Sequence, residues 1–402
     1  MEDLKGKYIV LGVSGGIAAY KMADVASALK KAGADVHVVM TKNAAKFIGA
    51  DAFEALTGNK CYTDTFERDG EYDVKHITMA KAADLFLIAP ASADLIAKLA
   101  NGIADDMLTS MMLAARGPRL IAPSMNTFML ENPATQRNIK TLAEDGYTLI
   151  DSASGRLACG DTGKGKLPDL QTLLDAVSRE IAFPKDLAGL HVTVTAGPTR
   201  EPLDPVRYLT NRSSGKMGYA IARNAMLRGA DVTLISGPTA LDPVPYVKMV
   251  DILSAKDMFE AVKAELPVTD ILIKAAAVAD YRPATVSDNK IKKKDEDLSI
   301  ALERTDDIIA WCGKHRHEGL FLCGFSMETE HMLENSRAKL EKKGLDMIAA
   351  NNVKVAGAGF AVDTNVLTLI TPDGAREMPL MSKDDAAAEL LDEIVRRLKK
   401  QP

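Results

Sequence analysis

The feature that most constrains this chain is a junction that occurs twice: a short β-branched run, a glycine-rich turn, then an amphipathic stretch. YIVLGV (8–13) passes through SGG (14–16) into YKMADVASALKKAG (20–33), and LHVTVTAGPT (190–199) passes through a longer loop into a helical pattern at 218–229. Each helix is followed by GADV (33–36 and 229–232), which opens the next strand. Strand–turn–helix units stack their strands in parallel and lay helices on both faces of the sheet. The rhythm continues through DVHVVM (35–40), DLFLIAP (84–90) and RLIAP (119–123) as buried strands, with SADLIAKLANG (92–102) and ATQRNIKTLAEDG (134–146) as helices. Beyond IAFPKDLAG (181–189) strand patterns recur at 231–239, 270–280, 319–326, 345–352 and 365–374, and helical patterns at 255–265, 331–343 and 383–399. The expected fold is α/β, with two doubly wound Rossmann-like domains at 1–185 and 186–402. The likeness of the two halves requires no duplication, because every doubly wound fold has this geometry.

Composition removes several classes. The 402 residues are 47% hydrophobic and 26% charged, which excludes a disordered chain and suits two or three domains. The net charge is −5 and neither half is strongly basic, so no nucleic-acid footprint is expected. No apolar run is long enough for a membrane span, and MEDLKGKYIVLGV enters a strand pattern directly rather than a signal peptide. Cys61, Cys159, Cys312 and Cys323 have no CxxC spacing, so a reducing, cytoplasmic setting is expected rather than disulfides or a zinc site.

The first turn, VSGGIAAYK (13–21), places amides at a helix start, where an anion is favoured. It is neither GxGxxG nor a Walker A loop, and the second strand ends Val39-Met40-Thr41 without the acid that would hold a dinucleotide ribose. A mononucleotide such as FMN suits it better than NAD, and tight packing alone is the competing reading. The second loop, TAGPTREPLDPVRYLTNRSSGKMG (195–218), collects Arg200, Arg207, Asn211, Arg212, Ser213, Ser214 and Lys216, a donor set for a phosphate or carboxylate. AAAVADYRP (275–283) carries Asp280 and leads to the lysine run beginning at Lys290, either a solvated face or a phosphate-covering loop. Lys339 and Lys343 stand i,i+4 on one helix face.

Three further residues carry possible chemistry in the first half. His76 precedes a helix-like AKAAD, and a lone histidine is more often structural. Asn126 in PSMNTFM (123–129) follows a strand C-terminus, where substrates bind. Cys159 lies in SASGRLACGDTGKGKLP (152–168), a glycine-rich stretch that reads as a flexible flap rather than as core.

In order, SGGIAAYK (14–21), His76, PSMNTFM, ACGDTGKG (158–165), the whole 195–218 loop, AAVADYRP (276–283) and KIKK (290–293) resemble the bacterial bifunctional phosphopantothenoylcysteine decarboxylase/phosphopantothenate–cysteine ligases of coenzyme A biosynthesis. The resemblance spans nearly the whole chain. It implies a flavodoxin-like, FMN-binding decarboxylase domain followed by a ligase domain. Ser14, Gly15, Ile17, Thr41, Pro90, Ala91 and Ser92 would line the flavin, His76 would assist an oxidative step, Asn126 would hold the substrate carboxylate and Cys159 would donate the final proton. In the ligase, Asn211 would engage an acyl-nucleotide, and Ala275, Ala276, Asp280, Lys290, Thr305, Asp306, Asp307, Ile308, Phe325, Lys339 and Lys343 would hold the nucleotide. The implied partners are 4'-phosphopantothenate, L-cysteine and CTP with Mg2+, in a dodecamer of decarboxylase trimers and ligase dimers; the metal ligands stay unassigned. Two positions depart from the family pattern: Leu130 stands where an aromatic is usual, and Thr305 begins a run usually written Asn-Pro-Asp-Ile.

The implied chemistry needs such groups. An α-amido carboxylate loses CO₂ poorly because the carbanion has no electron sink. Oxidation of the cysteine CH₂–SH to a thioaldehyde places a C=S β to the carboxylate, and the enethiolate left after CO₂ departs must be reduced and protonated. Ligation needs a carboxylate activated on a nucleotide α-phosphorus, with cations to hold the triphosphate. An NAD-linked oxidoreductase and a non-catalytic flavoprotein are the competing readings. The missing dinucleotide fingerprint opposes the first, and the combination of His76, Asn126 and Cys159 opposes the second.

Overall fold

The computed structural model describes residues 4–66, 74–156, 160–292, 298–328, 332–352, 359 and 362–399. The chain divides into two compact units, Met1–Pro184 and Lys185–Pro402.

In the first unit, β1 (Tyr8–Val13), β2 (Asp35–Met40), β3 (Leu85–Ala91), β4 (Arg119–Pro123) and β5 (Tyr147–Leu149) form one parallel sheet in the order β2-β1-β3-β4-β5. The two-residue period of β1 sends Ile9, Leu11 and Val13 to one face and Val10 to the other. Helices Met22–Lys31 and Leu170–Ile181 bury their apolar stripes against the first face. Helices Ala93–Ala100 and Met107–Ala114 cover the second. This doubly wound sheet reverses its strand order between β1 and β3, opening a crevice at their C-terminal ends.

The stretch at 152–168, expected to be a flexible flap, is in its described part an antiparallel hairpin of β6 (Ala153–Arg156) and β7 (Thr162–Lys166). Cys159 lies outside the described residues. His76, expected ahead of a helix, is inside the helix Lys75–Ala82.

The second unit is a larger sheet built from β8 (His191–Ala196), β11 (Asp231–Ser236), β12 (Lys248–Asp251), β13 (Ile271–Lys274), β16 (Phe321–Glu328), β17 (Met347–Asn352), β19 (Leu367–Thr371) and β20 (Gly374–Glu377). Its order is β12-β11-β8-β13-β16-β17-β19-β20, parallel through β17 and antiparallel beyond. The first six strands give the order 3-2-1-4-5-6 of a dinucleotide-type doubly wound sheet, with the reversal between β8 and β13. Short pairs sit at its margins: β9 (Arg200–Pro202) with β10 (Tyr208–Thr210), β14 (Tyr281–Pro283) with β15 (Leu302–Arg304), and β18 (Thr364–Asn365) with β21 (Met381–Ser382). These three-residue and shorter strands are too brief to show a period, so periodicity alone does not reveal them.

Candidate active sites

The first site grows from the crevice between β1 and β3. After Val13 the chain turns at Ser14, whose buried hydroxyl donates to the Pro90 carbonyl (2.7 Å) and accepts from the Ser92 amide (2.8 Å). One side chain thereby locks the two strand-end turns together. Gly15 is required by close approach, because a Cβ there would lie 2.4 Å from the Cβ of Asn43. The Thr41 amide donates to the Val13 carbonyl (3.0 Å), and its hydroxyl accepts from the Ala44 amide (3.3 Å). Ser92 caps the helix Ala93–Ala100 by accepting from the Leu95 amide (3.3 Å).

After β4, Asn126 caps the short helix Thr127–Glu131. Its Oδ1 accepts from the Phe128 amide (2.9 Å) and its Nδ2 donates to Asp161 (3.0 Å). β7 lies along this turn: the Met125 amide donates to the Gly165 carbonyl (3.0 Å), and the Thr127 hydroxyl donates to the Lys164 carbonyl (2.7 Å). Gly165 has φ +121°, and a Cβ on it would lie 2.2 Å from the Met125 carbonyl oxygen. Gly163 and Gly165 therefore permit close docking of β7 on this turn, whereas Gly160 faces open space.

Gly15, Ile17, Ser92, Asn126, Met129 and Arg156 line one cavity of about 410 Å³. Ser14, Thr41, Pro90 and Ala91 form its frame; Ser14, Pro90 and Ala91 are buried. The half-buried His76 is not among the cavity's lining residues. Around the mouth Ile17, Phe128 and Met129 are 57%, 75% and 50% exposed, an unusual set of apolar groups to leave in water. Leu130, the family departure, is buried.

The second site lies in the crevice between β8 and β13, a cavity of about 630 Å³. The segment after β8 contributes Asn211 through Gly218, and the segment after β13 contributes Ala275, Ala276 and Asp280. Phe325, Lys339 and Lys343 close a further side. Asn211 Nδ2 donates to the carbonyls of Ala277 (3.0 Å) and Val278 (3.2 Å), bridging the two strand-end segments. Among the described residues five lysines line this cavity: Lys216, Lys274, Lys339, Lys343 and Lys383. Lys216 pairs with Asp363 (2.6 Å) and Lys343 with Asp307 (2.8 Å). Burial pushes the Asp307 carboxyl up, but the Lys343 ammonium and the Ala310 amide outweigh it and leave it below its ordinary value.

Lys274 and Lys383 escape the motif reading. Lys274 ends the otherwise apolar run ILIK; burial, reinforced by Lys343, holds its ammonium below the ordinary lysine value, with Asp307 and Asp280 pulling the other way. Its signal was a lone cation closing a core strand. Lys383 begins the C-terminal helix, against the helix dipole, and donates to the carbonyls of Gly359 and Val362.

Several donors expected at this site face elsewhere. Arg200 stacks on the Tyr208 ring at 4.7 Å, and Arg207 binds Asp204. Lys290, exposed, is not among the lining residues. Neither are the four residues 305–308, although Ile309 is. Thr305 braces the β13 turn from behind, its hydroxyl donating to the Ala279 carbonyl (2.6 Å) and its amide to that of Asp280 (3.0 Å). Asp306 is exposed, Asp307 caps the helix Ile308–Lys314, and the Ile308 side chain is buried in the core.

Residues 1–182 match the sequence family described as Flavoprotein, and residues 187–398 match the DNA/pantothenate metabolism flavoprotein C-terminal domain. The class is thus a flavoprotein unit joined to that C-terminal domain. The chain is 47% identical over 395 residues to the coenzyme A biosynthesis bifunctional protein CoaBC of Bacillus subtilis, covering 97% of each chain. It is 44% identical over 398 residues to the protein of the same name from Escherichia coli, covering 98% of each. A crystal structure of the C-terminal domain of a CoaBC protein overlaps 54% of this chain and 100% of its own, at 42% identity and a TM-score of 0.47. The chain belongs to the family of the bifunctional coenzyme A biosynthesis proteins.

Proposed function

We propose that the second unit ligates 4'-phosphopantothenate to L-cysteine at the expense of CTP, and that the first unit decarboxylates the phosphopantothenoylcysteine formed to 4'-phosphopantetheine. The observation that carries this reading is the pairing of two strand-reversal crevices of unlike chemistry in one chain of this family. One is small and framed by backbone turns; the other is lined by five lysines.

The carboxylate of 4'-phosphopantothenate attacks the CTP α-phosphorus, pyrophosphate leaves, and the cysteine amine displaces CMP from the acyl-cytidylate. Mg2+ enters with the triphosphate; among the described residues no group of three His, Cys, Asp or Glu side chains is placed to hold a metal. Lys339 and Lys343 face the phosphates, Lys274 supports them from the strand end, and Asn211 orients the acyl-cytidylate while bridging the two crevice walls. Ala275, Ala276, Asp280 and Phe325 contact the nucleotide, residues 305–308 brace that wall, and Lys290 approaches from its loop.

In the first unit, the turn at Gly15–Ile17, with its paired frame at Ser14, Thr41 and Pro90–Ser92, suits the phosphate and ring of FMN. The Gly15 approach leaves the turn amides unobstructed, and Ile17 offers an apolar wall. FMN, when bound, supplies the two-electron oxidation of the cysteine side chain and the later return of those electrons. Asn126, its amide held by Asp161, positions the substrate carboxylate for loss of CO₂. Cys159 gives the proton that completes the product. His76 assists the first step from a neighbouring subunit. Trimers of this unit, joined through dimers of the second into a dodecamer, would cover the apolar mouth at Ile17, Phe128 and Met129 and bring His76 to it. Among the described residues no helix is long and apolar enough to cross a membrane, and we assign the enzyme to the cytoplasm on the chemistry of its substrates.

Incubation of the purified protein with 4'-phosphopantothenate, cysteine, Mg2+ and each nucleoside triphosphate in turn, followed by mass spectrometry, tests the whole sequence. 4'-Phosphopantetheine is expected with CTP, from a yellow protein that releases FMN on denaturation. Absence of phosphopantothenoylcysteine with every nucleotide would remove the ligase reading. A colourless protein that FMN does not reconstitute would remove the decarboxylase reading.

A further inference from the structure

The loop that carries Lys290 is tied down by an ion pair that the chemistry above does not use. Asp204 lies between β9 and β10 with its side chain wholly buried. Its Oδ1 accepts from the amides of Val206 (2.9 Å) and Arg207 (2.8 Å). Its Oδ2 accepts from Arg207 Nε (3.0 Å) and Nη2, and from the amide of Ile291 (3.1 Å). Arg207 Nη2 also donates to the Ile291 carbonyl (2.8 Å), and the Ser287 amide donates to the Leu203 carbonyl (3.0 Å). Both backbone groups of the residue next to Lys290 are therefore held by one pair more than eighty residues earlier in the chain.

Such an arrangement has little freedom. A buried carboxylate that loses its guanidinium partner is left as an uncompensated charge, so the removal of Arg207 is costly. The Arg207 guanidinium, helped by the three amides and opposed by burial, keeps the Asp204 carboxyl well below the usual carboxylate range. Lys290 and Lys292 on either side are exposed, in a polar segment where a lysine would otherwise sample many positions.

We propose that Asp204 and Arg207 are positioning residues that fix the backbone beside Lys290, so that only its exposed side chain has to swing to the nucleotide during ligation. The proposal rests on the ligase reading above. It assigns Arg207, a donor that sequence motifs place with the anion-binding set, to the support of another cation instead. Holding the backbone next to that cation in place before the nucleotide arrives leaves only the side chain to be ordered in the transition state.

Two measurements on the full-length enzyme test it. The first needs no turnover: limited trypsin digestion with mass mapping. In Arg207→Met, cleavage after Lys290 and Lys292 should accelerate at least about tenfold, while cleavage after Lys248 and Arg376 keeps its wild-type rate. Equal protection of the loop, or acceleration at all sites together, overturns the clamp.

The second is a double-mutant cycle on CTP-dependent ligation. Arg207→Met should lower kcat roughly 10–100-fold with the KM for cysteine unchanged. The same change made in Lys290→Gln should cost less than about twofold, because the group it positions is gone. Independent, additive losses overturn the proposal. Arg207→Lys keeps the charge but cannot reach both Asp204 and the Ile291 carbonyl. It should lose loop protection as Arg207→Met does, and it serves if the Met variant fails to fold. Wild-type ligation by Lys290→Gln would overturn the role of Lys290 itself, while the protease result would still decide whether the clamp exists.

Discussion

The two units use the same architectural device and place different things in it. In the first, the reversal between β1 and β3 is closed by one serine hydroxyl and two backbone turns, and the cavity is lined mostly by small, amide and apolar groups, with Lys21, Arg156 and Lys166 among them. In the second, the reversal between β8 and β13 is surrounded by ammonium groups, of which Lys216 and Lys343 already have carboxylate partners. The proposed reactions give this contrast a chemical reason. A redox cofactor brings its own electronics and asks the protein for placement and a proton. A triphosphate brings charge, and the protein must answer it with cations held apart from one another. The fold selects where a ligand sits; the side chains at two strand ends select what it is.

The largest test of this division is Cys159→Ser. An alcohol is a far weaker acid than a thiol, so final protonation should fall by about 10²–10⁴-fold while ligation is unchanged. CO₂ should still be released, with an enethiol two mass units below the normal product accumulating under anaerobic rapid mixing. His76→Asn should instead leave unreacted substrate. Normal 4'-phosphopantetheine turnover by Cys159→Ser would show that another group donates the proton.

Next in size is Lys290→Gln, expected to reduce ligation about 10²-fold and leave decarboxylation of supplied phosphopantothenoylcysteine intact. A folded variant losing both activities would break the separation of the two sites.

Lys274→Met sharpens the contrast from the stability side. Burial lowers the Lys274 pKa, so the folded protein disfavours its charge, and the cost is present at any pH below the folded value and vanishes above the ordinary lysine value. At neutral pH the Met variant should unfold later, by roughly 2–4 °C for ~1 kcal/mol in a domain of this size. The KM for CTP should rise about tenfold, the loss of one charge-assisted contact. Trp311, the single tryptophan, lies in the helix Ile308–Lys314 capped by Asp307 and stacks on His315 at 4.2 Å, giving a fluorescence signal for nucleotide titration. A lower Tm with unchanged CTP affinity would make Lys274 a structural residue.

The smallest expected effect distinguishes a docked hairpin from a slack flap. Gly165→Ala would place a methyl against the Met125 carbonyl and should destabilise the first unit by about 1–3 kcal/mol. Gly160→Ala, with open space around it, should cost about 1 kcal/mol from its positive φ alone. Equal thermal shifts for the two would mean that docking contributes nothing.

The strand ends and the residues just beyond them were legible without coordinates. Gly15, Ser92, Asn126, Ala275 and Asp280 follow apolar runs that read as strands, and a parallel sheet puts such positions at a ligand crevice; Asn211 was legible from its donor-rich loop instead. The i,i+4 lysines 339 and 343 were legible for the same local reason. The hairpin at 153–166 was not, because four glycines dilute its pattern and its partner is the turn at Met125–Thr127.

What the sequence determined by itself is therefore what local periodicity and turn chemistry encode: an α/β fold in two halves and the candidate ligand-facing turns. Only the tertiary structure decided which cations line the cavity. Arg207 is turned to Asp204 and Ile291, Lys343 lines the cavity while paired with Asp307, and Lys274 emerges into the cavity from a strand that reads as core. The physical reason is that a charge is assigned by the nearest opposite charge in space. For these groups that partner, or the cavity wall, is set by sheet order and crossover, which no local repeat in the chain records.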